Sequence, residues 1–109
     1  MSFQRACSLN DVAAGEGLSV DIISGDRVVD IAIIRDEDGR WHAIDDKCTH
    51  GDVSLAEGEV EGNVVECWAH GATFDLDTGK QSLPAVSPVQ VYPVEIRESE
   101  VFVDVDAHL

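Results

Sequence analysis

Four side chains suited to a soft or borderline metal fall in two short boxes of this chain, Cys48-Thr49-His50-Gly51 and Cys67-Trp68-Ala69-His70-Gly71, with sixteen residues between His50 and Cys67. Two thiolates and two imidazoles are the ligand set that divides a [2Fe-2S] cluster into a cysteine-held iron and a histidine-held iron. The chemistry of such a centre is one-electron transfer. Thiolates favour the ferric state, while neutral imidazoles remove negative charge and raise the potential above that of four-cysteine clusters. A glycine follows each histidine, Gly51 and Gly71, where the backbone must pass close to a bound group. A structural zinc site would use the same atoms, but C-x-H followed by C-x-x-H is not finger spacing. A cysteine nucleophile with a histidine base would leave the second pair without a role.

Positioning these boxes falls to short strands. Apolar alternation recurs at close intervals and helical periodicity is nearly absent, so the chain reads as antiparallel all-β. The predicted strands are Phe3–Cys7, Leu18–Ile23, Val28–Arg35, Trp41–Asp45, Asn63–Glu66, Thr73–Leu76, Val89–Ile96 and Val101–Val105. Turns are marked by Asp36-Glu37-Asp38-Gly39, Glu61-Gly62-Asn63, Asp77-Thr78-Gly79 and Glu98-Ser99-Glu100. One short helix is expected at Leu9 to Ala14, capped by Asn10 and stopped by Gly15 and Gly17. On this frame Cys48 and His50 lie in the loop after Trp41–Asp45, and Cys67 and His70 in the loop after Asn63–Glu66. Trp41 and Tyr92 read as core residues.

With 109 residues, the chain is expected to form a single domain, residues 1–109, with one modest core. A formal charge of −15 disfavours nucleic acid and anionic lipid as partners and favours basic proteins. Asp45, Asp46, Asp52, Glu57 and Asp75 surround the boxes in sequence, with Lys47 as a nearby base, and read as a field that steers such a partner. The start of the chain lacks the basic region and long apolar run of a signal peptide, and Val28 to Ile34 is too short to span a bilayer, so a soluble cytoplasmic protein is expected. With Cys48 and Cys67 assigned to metal, only Cys7 remains, which reads as a small buried hydrophobe with no disulfide partner.

The C-T-H-G and C-x-x-H-G boxes, and nearly the whole chain from Ala6-Cys7-Ser8-Leu9 onward, resemble the small Rieske-type [2Fe-2S] ferredoxins that serve multicomponent aromatic-ring-hydroxylating, non-haem iron dioxygenases. The resemblance implies a Rieske-type antiparallel β-sandwich with a small cluster-binding subdomain of two loops. It implies one cluster per chain, with Cys48 and Cys67 on one iron and His50 and His70 on the other, and Leu83-Pro84-Ala85 as the loop shielding the cluster from water. High-potential relatives carry a disulfide between the cluster loops where this chain has Val53 and Ala69, and hydroxyl donors where it has Ala72 and Phe74. Fewer dipoles beside the centre leave the reduced state less stabilised, so a low potential is expected, near about −150 mV. By the same resemblance the chain carries one electron at a time from an NAD(P)H-dependent flavin reductase to a terminal oxygenase and is not itself an enzyme. A second, mononuclear iron would have only His42 and His108 left to bind it. Related readings keep the cluster but change the client, either iron–sulfur cluster assembly or the small subunit of nitrite reductase. A structural zinc module is the non-redox alternative.

Overall fold

The computed structural model describes residues 3–49, 53–69 and 71–107. Ten strands, all paired antiparallel, form three small sheets, with two single turns of 3-10 helix among the described residues. The strands are β1 Gln4–Ser8, β2 Glu16–Ser24, β3 Arg27–Arg35, β4 Trp41–Asp45, β5 Glu59–Glu61, β6 Val64–Glu66, β7 Thr73–Asp75, β8 Val91–Tyr92, β9 Val94–Arg97 and β10 Glu100–Val103. The central sheet runs β2-β3-β4-β8, the terminal sheet β1-β10-β9, and the smallest β5-β6-β7. No helix among the described residues is long and apolar enough to cross a membrane.

The strand β3 explains how the three sheets become one body. Its run Ile31-Ala32-Ile33-Ile34 is fully buried although neighbouring strand residues point to opposite faces, because both faces of the central sheet are covered. Ile31 and Ile33 join a core with Cys7, Ile22, Ala43, Tyr92, Val101 and Val103 against the terminal sheet. Ala32 and Ile34 join a second core with Ile44, Leu55, Val65, Phe74 and Leu76 against the small sheet. Cys48 and Cys67 belong to that second core.

Several details differ from the sequence reading. The stretch expected as one strand from Val89 to Ile96 is two short strands in different sheets, because Pro93 has no N–H to donate to a ladder. The strand β5 was not foreseen; it is a three-residue edge carrying Glu59 and Glu61. The expected helix from Leu9 shrinks to Leu9–Asp11, and its cap is Ser8, not Asn10. The Ser8 hydroxyl accepts from the Asn10 N–H while the Asp11 carboxylate accepts from the Ser8 N–H. Cys7 is buried as expected, and burial, reinforced by Asp11, pushes its thiol pKa up.

Candidate metal centre

The two boxes hang from the end of the second core, each on a loop closed in the same way. The Cys48 N–H donates to the Val53 carbonyl at 2.9 Å, and the Cys67 N–H donates to the Ala72 carbonyl at 2.7 Å, so each cysteine is locked to the residue five positions on. The first loop follows β4 and returns through a bridge between Lys47 and Ser54; the second joins β6 to β7. Within the second, the Gly71 N–H donates to the Cys67 carbonyl at 3.0 Å with Gly71 at φ +77°, a left-handed conformation that glycine adopts without a Cβ penalty. Cys48 and Cys67 are only 4% and 1% exposed, and the apolar surroundings keep water from both sulfurs. His50, Gly51, Asp52, His70 and His108 lie outside the described residues.

A third segment covers this end. Ala85 is buried in the same core as the two cysteines, while Leu83 and Val86 beside it stand exposed. The segment is fastened on one side to β7, where Thr73 N–H donates to the Ser82 hydroxyl at 2.9 Å and the Ser82 N–H to the Thr73 carbonyl at 2.9 Å. On the other side the Thr49 hydroxyl donates to the Ser87 carbonyl at 2.6 Å, tying the segment to the first loop. The segment is thus held between β7 and the first loop, with Ala85 turned into the core that contains both cysteines. Ala72 and Phe74, the positions without hydroxyl donors, are fully buried.

Below the loops, a 3-10 turn at Leu55–Glu57 is gripped between two sheets. Gly17 of β2 lies so close that a Cβ there would stand 2.7 Å from the Ala56 carbonyl oxygen, and one on Gly58 would stand 2.3 Å from the Glu66 carbonyl oxygen. The segment leaving the first cysteine box is thereby packed against the strand that enters the second.

The acidic residues near the boxes are not a uniform outward field. Asp45 accepts from the Tyr92 hydroxyl at 2.6 Å and from the Gln90 N–H at 3.0 Å, joining β4 to β8. Burial and this carboxylate neighbour drive the Tyr92 pKa far above the ordinary phenol value. Asp75 accepts from the N–H groups of Asp77 and Thr78. Asp46 is buried and accepts from three donors, Ser19, Ser54 and Ala56. Of the described residues assigned to the steering field, only Glu57 is exposed, and Asp45, Asp46 and Asp75 hold the fold together instead. The exposed carboxylates of the small sheet are Glu59, Glu61 and Glu66, which with Glu37 line a groove on its outer side. The sequence signals no such groove, because Glu61 falls in the turn Glu61-Gly62-Asn63 and Glu59 carries no strand signal.

His42 is buried, with Nε2 2.9 Å from the Asp36 Oδ2 and Nδ1 3.7 Å from Asp77. Burial opposes ionisation of the Asp36 carboxyl, but bonds from His42 and from the Arg40 and Asp38 N–H groups outweigh it and hold its pKa below the usual range. His42 thus pins the β3–β4 turn to the loop after β7, and serves the frame.

The donor set fits a Rieske-type cluster: the described half is a pair of buried thiols in one core on loops of matched closure, and the remaining ligand types are imidazoles of the same two boxes. Residues 2–93 match the Rieske [2Fe-2S] domain. The biphenyl dioxygenase ferredoxin subunit of Pseudomonas sp. (strain KKS102) is 43% identical over 106 residues, covering 95% of this chain and 93% of that one. The solved Sphingomonas yanoikuyae B1 ferredoxin superimposes with a TM-score of 0.82 at 32% identity over 94% of this chain and 98% of that one. A chain of the complex of reduced oxygenase and oxidised ferredoxin in carbazole 1,9a-dioxygenase gives a TM-score of 0.78, also at 32% identity, over 93% and 91%. With most of its length matched to that domain and its fold shared with solved ferredoxins, this chain belongs to the Rieske [2Fe-2S] domain family and binds a Rieske-type cluster.

Proposed function

We propose that this chain is the ferredoxin of a ring-hydroxylating dioxygenase system, a soluble cytoplasmic carrier formed of one domain over residues 1–109. Cys48 and Cys67 hold one iron of its single cluster, and His50 and His70 hold the other. When bound, the cluster supplies reversible one-electron transfer at a low potential. The protein's own residues do the rest. The paired loop closures fix the direction of the two thiolates, the core around them excludes water, and the segment around Ala85 closes the remaining side. The electron comes from an NAD(P)H-dependent flavin reductase and leaves to a terminal oxygenase.

Docking uses the loop end. Trp68, next to Cys67, is 61% exposed, and Leu83 and Val86 of the covering segment are 80% and 76% exposed, which leaves large apolar side chains in water beside both loops. The observation that carries this reading is the pair of buried cysteines on identically closed loops, together with relatives named as dioxygenase ferredoxin subunits. Anaerobic reconstitution followed by iron and acid-labile sulfide assays tests the ligands: the wild type should hold two of each per chain, with a Rieske-type EPR signal after dithionite, and Cys48→Ala should hold neither. Electron delivery is tested by coupling the protein to a purified flavin reductase and a ring-hydroxylating oxygenase. Full cluster loading without any NAD(P)H-driven product would refute the dioxygenase role, and iron-free wild-type protein would refute the ligand assignment.

A further inference from the structure

Asp46 stands two residues before Cys48, and its hydrogen bonds tie the loop of the first cysteine box to β2 and β3. Its backbone is held on both sides: the Asp46 N–H donates to the Asp30 carbonyl at 3.1 Å, and the Asp46 carbonyl accepts from the Leu55 N–H at 2.6 Å. The residue as a whole is 4% exposed. One carboxylate oxygen, Oδ1, accepts from the Ser54 hydroxyl at 2.7 Å and the Ala56 N–H at 3.2 Å, and the other, Oδ2, accepts from the Ser19 hydroxyl at 2.8 Å. Ser54 and Ala56 leave the loop that Asp46 enters, so one carboxylate fastens both ends of that loop and ties it to β2.

All three donors are neutral. Among the described residues no lysine, arginine or histidine makes an ion pair with Asp46. Lys47 shares the adjoining groove with Asp46 but is exposed, and Asp21, Asp30 and Glu57 line the same groove. Hydrogen bonds from neutral dipoles stabilise a buried carboxylate without cancelling its charge. A chain advances at most about 3.6 Å per residue, so the Asp46 Cα lies within roughly 7 Å of the Cys48 Cα, and the carboxylate it carries within roughly 10 Å. At 4% exposure the residue is largely withdrawn from water, so its field at the adjoining box is less screened than that of a surface charge.

We infer that Asp46 is a positioning residue for the cluster and a fixed negative charge that holds its potential down. The inference rests on the proposed role of Cys48 as a ligand. Reduction adds an electron to the centre, a neighbouring buried anion opposes that added charge, and so the oxidised state is favoured. The substitution Asp46→Asn separates charge from geometry. An asparagine oxygen accepts from Ser54 and Ala56 as before, its amide donates to the Ser19 hydroxyl, and only the charge is lost. Ser54→Ala does the opposite: it keeps the charge and strips one of the dipoles that compensate it.

The test is a mediated redox titration of the reconstituted full chain, with iron content and EPR recorded on the same samples. Asp46→Asn should move the midpoint to more positive potential, up to about tenfold in the reduction equilibrium or about 59 mV for one electron, while Ser54→Ala stays at or below the wild-type value. A midpoint for Asp46→Asn at or below wild type, or an upward shift in both variants, overturns the inference. Where Asp46→Asn fails to retain the cluster, Ser54→Ala decides alone: a midpoint at or below wild type is the expected result and an upward shift overturns the inference. A wild type that binds no iron would refute the ligand assignment, an outcome distinct from equal potentials in fully loaded proteins.

Discussion

The grip of two glycines on the 3-10 turn Leu55–Glu57 makes a quantitative prediction about how the cysteine boxes are held in register. Gly58 has φ −76° and ψ 172°, ordinary extended backbone that any residue adopts, so its identity is dictated by space and not by conformation. A Cβ at Gly58 would stand 2.3 Å from the Glu66 carbonyl oxygen, 3.2 Å from the carbon of that carbonyl and 3.0 Å from Val65 Cγ2. Favourable carbon contacts begin near about 3.5 Å, so Gly58→Ala requires the β5–β6 ladder to open by roughly 1 Å. The obstructing group is backbone and cannot rotate away. Overpacking of this kind costs about 1–3 kcal/mol, and the fixed obstacle places Gly58→Ala at the upper end.

For a chain of 109 residues the unfolding entropy is about 0.23 kcal/mol/K. A loss of about 3 kcal/mol therefore lowers Tm by roughly 13 °C. The displaced residue, Glu66, precedes Cys67, so the same substitution should also lower iron and sulfide retention after desalting. Gly62→Ala is the control: it sits at φ +60° with nothing within 4 Å of the added methyl. Its cost is the left-handed conformation alone, about 1–2 kcal/mol, or a fall of roughly 4–9 °C with the cluster retained. The assay is anaerobic thermal unfolding followed by near-ultraviolet and visible circular dichroism, with metal analysis on the same samples. A fully loaded Gly58→Ala protein melting within about 2 °C of wild type would refute the reasoning, because the strand would then have moved at no cost.

Three further outcomes follow. Phe74→Tyr places a hydroxyl in the core shared by Cys48 and Cys67; a donor worth about 1–2 kcal/mol more to the reduced centre than to the oxidised one raises the midpoint by roughly 40–90 mV, and an unchanged midpoint in a redox titration contradicts the assigned role of that position. The Asp36 pKa is held below the usual carboxylate range, so its contribution to stability is present above the unfolded-state value near about 3.9 and is lost as pH falls through the lower folded-state value. Asp36→Asn should therefore trail wild type by a constant margin in urea unfolding above about pH 5, and the gap should narrow below pH ~4. Trp68→Ala should leave iron content and potential unchanged while slowing electron transfer to the oxygenase at least several-fold in stopped-flow measurements; equal rates would exclude Trp68 from the contact.

What the sequence disclosed and what it hid have separate physical causes. The cysteine boxes were legible because ligand chemistry demands particular atoms at fixed places, and β4 at Trp41–Asp45 was legible because β-prone apolar residues follow the turn Asp36-Glu37-Asp38-Gly39 there. The strand β5 was not, since Glu-Val-Glu at a sheet edge buries only Val60 in part and carries no apolar signal. Ser54-Leu55-Ala56-Glu57 has the spacing of a helix-capping box, a sequence cue to the 3-10 turn. In the structure the Ser54 hydroxyl makes no cap bond; it turns to Asp46 instead. The carboxylates show the deeper limit. Asp45, Asp46, Glu57 and Asp75 look alike in a string of letters, yet Asp45 anchors a tyrosine, Asp46 closes a loop, Asp75 ends a strand and Glu57 stands in water. Which of these an acidic residue does depends on whether donors from distant segments reach it, as Ser19 reaches Asp46 across twenty-seven positions. Net charge can therefore suggest what a surface repels, but the charges that govern the cluster are those the fold has withdrawn from the surface.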